Sequence, residues 1–137
     1  MDKDLVLMEG IDKSFPGVHA LDHCDFDIRS GEVHALVGEN GAGKSTLMKV
    51  LAGIYSKDSG IIYYRGDEVE IPNPRSAQDL GISMIHQELN LMPHLTVAQN
   101  THIGREPRRG VRFVLDEKGI NEQTEALFAG MHLKLNP

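Results

Sequence analysis

LVGENGAGKSTLMKVLAGI, residues 36–54, is the stretch on which the fold turns. An alternating apolar lead-in, Val33, Ala35 and Val37, is expected to form a strand that runs straight into a glycine loop. Gly38-Glu39-Asn40-Gly41-Ala42-Gly43-Lys44-Ser45 fills every required position of G-x-x-x-x-G-K-[ST]. Each residue type answers a need of phosphate chemistry. Glycines let the backbone turn so that amide N–H groups approach an anion closely. A helix starting at Lys44 aims its unpaired N–H groups and positive dipole end at the same point. Lys44 then neutralises β- and γ-phosphates, Ser45 offers a hydroxyl to Mg²⁺, and Thr46 reaches the α-phosphate. Beyond the loop the period becomes helical, with Leu47, Val50, Leu51 and Ile54 on one face and Gly53 at the end. A dinucleotide loop is the nearest competitor, but Lys44-Ser45-Thr46 follows Gly43 where that pattern needs a third small residue.

Working outward, Leu5, Leu7 and Ile11 among charged residues suggest a strand over 4–14, broken at Phe15-Pro16-Gly17. Leu21, then Cys24, Phe26 and Ile28, suggest a second, half-buried one. After the helix, Ser59-Gly60 opens IIYYRG, a strand closed by the turn Gly66-Asp67. Asn73 caps a short helix with Pro74 in its first position, ending near Gly81. Ile82–Ile85 is expected as a short buried strand, Thr96 as the cap of a helix over 97–103, and Asp116 as the cap of one over 117–130. GREPRRG, 104–110, is a charged loop. The order is mixed α/β, with antiparallel-looking strands ahead of a strand–loop–helix core.

The 137 residues fit one domain by length, and 40% hydrophobic with 25% charged residues is ordinary for a soluble globular chain. A net charge of -6 argues against nucleic acid, which demands basic surface. The single Cys24 cannot form an internal disulfide, which makes a reducing cytosol the expected compartment. MDKDLVLMEG lacks the apolar core of a signal peptide, and no run approaches the ~18 apolar residues of a membrane span.

The surroundings of the loop choose among P-loop families. Residues 13–66, with 81–107 (GISMIHQELNLMPHLTVAQNTHIGREP), resemble the ATP-binding subunits of ABC transporters, most of all those of bacterial monosaccharide importers of the ribose, galactose and xylose type. The likeness runs over about 5–137. It implies an ABC-ATPase nucleotide-binding core with an antiparallel β subdomain, binding ATP and Mg²⁺. It makes residues 38–46 the Walker A loop: Gly38, Glu39, Asn40, Gly41, Ala42, Gly43, Lys44, Ser45 and Thr46. It puts Phe15 where the family stacks an aromatic ring on adenine, and Gln87 where its Q-loop glutamine touches Mg²⁺ and the attacking water. Lys44 and Gln87 are therefore the catalytic candidates, and Ser45 with Gln87 the metal ligands.

The resemblance also implies partners. These are transmembrane permease subunits, a second ATP-binding cassette and, indirectly, a periplasmic sugar-binding protein, with the chain peripheral on the cytoplasmic face of the membrane. The signature segment LSGGQ, a Walker B Asp-Glu pair and a switch histidine do not occur in the 137 residues. Residues 1–137 are thus expected to be the N-terminal part of the first cassette, cut before its catalytic strand. The parent function is ATP hydrolysis driving sugar import. The alternatives are a nucleotide-binding fragment without turnover, or an ABC ATPase outside transport. Unpaired strand edges in such a piece would favour a homodimer or a swapped pair.

Other clusters carry less. His19 and His23 lie along a strand-like run, which would separate them by ~13 Å, so they read as solvent or structural histidines rather than metal ligands. His86 stands beside Gln87 with its role open. Arg105, Arg108, Arg109 and Arg112 read as a solvated loop before an anion or partner contact. Met84, Met92 and Leu89, Leu91 and Leu95 are core or a docking surface.

Overall fold

The computed structural model describes residues 4–86, 91–108, 115–133 and 135. The chain divides into two compact units, Met1–Ile85 and His86–Pro137. The first is built on a four-stranded sheet. Strands β1 (Asp4–Phe15) and β2 (Val18–Arg29) form a long hairpin, and β3 (Ser59–Tyr64) and β4 (Asp67–Glu68) form a short one. The order across the sheet is β2-β1-β3-β4, and every pairing is antiparallel. Arg65 and Gly66 between β3 and β4 have φ of 53° and 86°, the two positive values that a tight two-residue hairpin turn needs to match strand twist.

Val6 and Met8 of β1 are buried, and the next buried residue is Ile11, three positions on. A register shift between Met8 and Ile11 accounts for the change of parity. The apolar pattern alone points to Leu5, Leu7 and Ile11; the fully buried positions take the other parity first, Leu5 packs partly against the core, and the bulge brings Ile11 onto the buried face. In β2 the same break separates Leu21 from Phe26, where Asp22 and His23 intervene and His23 has φ 44°.

Helix α1 (Lys44–Leu51) buries Leu47, Val50 and Leu51 in the core with Val6, Met8, Ile11, Leu21, Phe26, Ile62, Ile71 and Ala77. Burying an aliphatic side chain of this size is worth about 1.5–3 kcal/mol, so the amphipathic face of α1 is what holds the glycine loop on the sheet. Helix α2 (Pro74–Asp79) starts as expected: the Asn73 side chain accepts a hydrogen bond from the Ser76 N–H at 3.0 Å.

Two expected strands do not form. Residues 32–39 have no regular secondary structure, and Val33 and Val37 are 99% and 87% exposed. Residues 82–86 are likewise irregular, and Ile85 is 95% exposed rather than buried. An extended segment becomes a strand only when a neighbour takes its backbone hydrogen bonds. Among the described residues no strand pairs with either segment.

In the second unit, helices α3 (Val97–His102) and α4 (Glu117–Gly130) meet through a small core that includes Ala98, Ile120 and Phe128. Thr96 and Gln99 form a reciprocal capping box at α3. Asp116 caps α4 by accepting from the Gly119 N–H at 3.2 Å. Buried Thr124 is satisfied within the helix, its hydroxyl donating to the Ile120 carbonyl at 2.8 Å. The Asn100 side chain staples the turn ahead of α3, donating to the carbonyls of Met92, Leu95 and Thr96 and accepting from the Met92 N–H at 2.8 Å. Of the arginine cluster, Arg109 and Arg112 lie outside the described residues. Next to Arg105, the Glu106 carboxylate accepts from the Gly104 N–H at 2.8 Å, which holds its carboxyl below the usual range. No helix among the described residues is long and apolar enough to cross a membrane.

Candidate functional site

The glycine loop turns through Gly41 and Gly43, at φ 87° and 81°. Gly43 is the N-cap of α1 and packs on β2: a Cβ there would stand 2.6 Å from the Ala20 carbonyl oxygen and 2.9 Å from Leu21 Cδ2. The loop is pinned internally by the Ala42 N–H on the Glu39 carbonyl at 3.2 Å, and the helix opens with the Leu47 N–H on the Gly43 carbonyl at 2.9 Å.

Lys44 curls back over the loop. Its ammonium donates to the carbonyls of Gly38 at 2.6 Å and Glu39 at 2.7 Å. The side chain is thereby held across the loop mouth. Helices α2, α3 and α4 each have a side-chain cap, whereas α1 has none and carries no acidic residue in its first turn. Its leading N–H groups and dipole end are therefore suited to an anion, with no carboxylate in the first turn to compete. Ser45 is exposed and Thr46 half-buried in that first turn. A hydroxyl there is the hard oxygen donor that Mg²⁺ prefers.

Phe15 closes β1 and pairs with Val18 on β2, the strand on which Gly43 packs. The loop and the aromatic residue are thus tied to one hairpin. Phe15 is half-buried and meets Tyr55 edge-to-face, with ring centroids 5.0 Å apart at 71°. Lys13 Nζ lies 5.5 Å from the Phe15 centroid and donates to Asp58 at 2.6 Å. Asp58 also accepts from the Ser14 N–H at 2.6 Å, and the Lys13 hydrogen bond, followed by this one, holds its carboxyl below the usual carboxylate range. Tyr55 was not singled out by sequence. Its position past the end of α1 held no signal, and only the folded chain puts its ring against Phe15.

Gln87 lies outside the described residues; Phe15 and the glycine loop both attach to the β1–β2 hairpin, Phe15 through Val18 and Gly43 against Ala20 and Leu21. His86, next to Gln87 in the chain, is exposed. The two histidines expected to be far apart are not. The irregularity in β2 lets both reach one carboxylate: His19 Nε2 is 3.1 Å from Asp12 Oδ1, and His23 Nδ1 is 3.1 Å from Asp12 Oδ2.

An antiparallel sheet, a glycine loop and an uncapped helix carrying lysine and hydroxyls define a P-loop nucleotide-binding protein of the ATP-binding cassette type. The chain belongs to the ABC transporter family, whose model matches residues 21–135. It is 61% identical, over 97% of its own length and 26% of the relative's, to a protein of Burkholderia lata provisionally named ribose/galactose/methyl galactoside import ATP-binding protein 1. A protein of Albidiferax ferrireducens with a corresponding name is 56% identical over the same shares. Among solved structures, a nucleotide-free ATP-binding cassette from an ABC transporter matches with a TM-score of 0.78 and 25% identity, covering 95% of this chain and 55% of that one. A dimeric cassette in a post-hydrolysis state, bound to ADP and Pi, shares the fold at TM-score 0.70 and 19% identity, over 94% of this chain and 58% of that one. The chain spans about a quarter of the length of the curated relatives it matches.

Proposed function

We propose that this chain is the nucleotide-holding part of an ATP-binding subunit whose whole protein powers monosaccharide import by ATP hydrolysis. The single observation that carries the reading is the loop itself. The Lys44 ammonium is held at the mouth of a glycine loop whose helix start is free of side-chain caps and acids. Gly38, Glu39, Asn40, Gly41, Ala42, Gly43 and Thr46 would wrap the phosphates of ATP, Lys44 would carry the charge of the β- and γ-phosphates, and Ser45 with Gln87 would ligate Mg²⁺. The metal, when bound, neutralises charge developing on the transferring phosphoryl group. Phe15 would lie against adenine, steadied by Tyr55 and by Lys13 clamped on Asp58.

Residues 1–137 form, on this reading, the N-terminal part of one ATP-binding domain. The working partners are permease subunits in the membrane, a second cassette facing this one, and a sugar-binding protein beyond the permease. The subunit sits on the cytoplasmic face of the membrane. The names of its relatives support the sugar class, and the dimeric cassette of the same fold supports pairing.

Titration of a fluorescent ATP analogue with Mg²⁺ tests the site. Binding is expected in the wild-type chain and a loss of at least tenfold in Lys44→Ala; unchanged affinity in that variant would overturn the assignment. Steady-state phosphate release tests the chemistry. The 137-residue chain is expected to show no Lys44-dependent turnover, and robust turnover abolished by Lys44→Ala would show that it is a self-sufficient ATPase.

A further inference from the structure

The β1–β2 hairpin gathers a second set of polar side chains, beside Phe15 and beside the Ala20–Leu21 stretch against which Gly43 packs. Cross-strand register sets Ile11 opposite Cys24 and Lys13 opposite Leu21, so Asp12 faces the two extra residues Asp22 and His23. His19 comes from the same strand, opposite Ser14. One donor atom each from Asp12, His19 and Asp22 can be chosen so that all lie within 4.8 Å of one another. His23 Nδ1 adjoins both carboxylates, 3.1 Å from Asp12 and 3.6 Å from Asp22. We propose that this bulge is a binding site for a zinc-like divalent transition metal, with His19 Nε2, Asp12 and Asp22 as ligands and His23 as an adjoining fourth donor.

Distance and donor type carry the assignment. Zinc bonds nitrogen and carboxylate oxygen at about 2.0–2.2 Å, which puts neighbouring ligand atoms of a tetrahedron roughly 3.3–3.6 Å apart. His19 Nε2 to Asp12 Oδ1 is 3.1 Å, and His23 Nδ1 to Asp22 Oδ1 is 3.6 Å, both close to that separation. Imidazole nitrogen suits zinc, copper or nickel and not magnesium or calcium. Asp12 is already oriented from behind: the Ser59 hydroxyl donates to its Oδ2 at 2.9 Å, as outer-shell partners of metal-bound carboxylates do. The mouth is open, with the side chains of His19, Asp22 and His23 exposed at 49%, 78% and 81% and that of Asp12 at 15%. Backbone strain adds to the design. His23 holds φ 44°, a conformation that costs a residue with a Cβ and that here turns its ring toward Asp12.

Zinc chloride titrated into the chain by calorimetry, without nucleotide or magnesium, is expected to fill one site with Kd below about 100 µM. His19→Asn and Asp22→Asn, both at exposed positions, should each weaken it at least tenfold, and His34→Asn should leave it unchanged. Co²⁺ added to the wild-type chain gives a readout that depends on no variant: backbone amide signals of residues 12 and 19–23 should broaden first. Weaker or absent zinc binding, affinity indifferent to His19→Asn and Asp22→Asn, or broadening centred elsewhere would each overturn the proposal. The result does not depend on Lys44, so it stands or falls apart from the nucleotide reading.

Discussion

Gly43→Ala should be among the most damaging single-methyl additions in the glycine loop, for two separable reasons. The residue sits at φ 81°, and the new Cβ would stand 2.6 Å from the Ala20 carbonyl oxygen. A residue with a Cβ in the left-handed region costs about 1–2 kcal/mol. Overpacking against fixed backbone adds about 1–3 kcal/mol, because β2 must move as a strand to make room. The expected destabilisation is therefore about 2–5 kcal/mol. Gly41 supplies the control. It has φ 87° but open space around its would-be Cβ, so Gly41→Ala should cost the conformational term alone, about 1–2 kcal/mol. Gly38 supplies the second: a Cβ there meets nothing closer than 3.6 Å, and Gly38→Ala should change stability by less than about 1 kcal/mol. Urea unfolding followed by circular dichroism reads the series. With a slope of about 2 kcal/mol/M, the midpoint should fall by roughly 1–2.5 M for Gly43→Ala and 0.5–1 M for Gly41→Ala. Equal losses at the two positions, within about 0.5 kcal/mol, would refute the argument that Gly43 is required by the approach of β2.

Three further outcomes follow from other parts of the chain. Asn73→Ala should cost about 1 kcal/mol in the same urea assay by removing the acceptor for the Ser76 N–H, and an unchanged midpoint would show that α2 does not depend on its cap. Asn100→Ala should free the turn it staples, so hydrogen exchange at the Met92 amide should quicken at least tenfold while that of α4 residues stays put. Asp12 and Asp58 are both held below the ordinary carboxylate range, Asp12 chiefly by the Ser59 hydroxyl and Asp58 chiefly by Lys13. A lowered folded value means their contribution is complete above the unfolded carboxylate pKa of about 3.9 and is lost as pH falls through the folded values. Urea midpoints should therefore fall below about pH 4, less steeply in Asp58→Asn; identical acid profiles would remove Asp58 from the explanation.

Much of this was legible from the residues because the signals are local. Asn73 before Pro74, Thr96 before Gln99 and Asp116 before Gly119 act over three positions, and each cap is made as expected. The face of α1 follows from helical period, and its Leu47, Val50 and Leu51 are buried. The P-loop pattern carries the phosphate chemistry and its surroundings, 13–66 with 81–107, carry the family resemblance; the ABC transporter model matches residues 21–135.

What stayed hidden needs partners distant in sequence. Alternation at Val33, Ala35 and Val37 signals a strand, yet a strand exists only when another segment takes its hydrogen bonds, and these residues lie exposed. The parity of β1 turned on a bulge that no single-strand pattern reveals. Sequence by itself determined the chemistry of the loop and the starts and faces of the helices, since those depend on neighbours within a turn or two. Tertiary structure alone decided that Gly43 lies against Ala20, that Tyr55 backs Phe15, and that His19 and His23 converge on Asp12. Those contacts are set by strand register, which an inserted residue shifts and which only the paired chain can reveal.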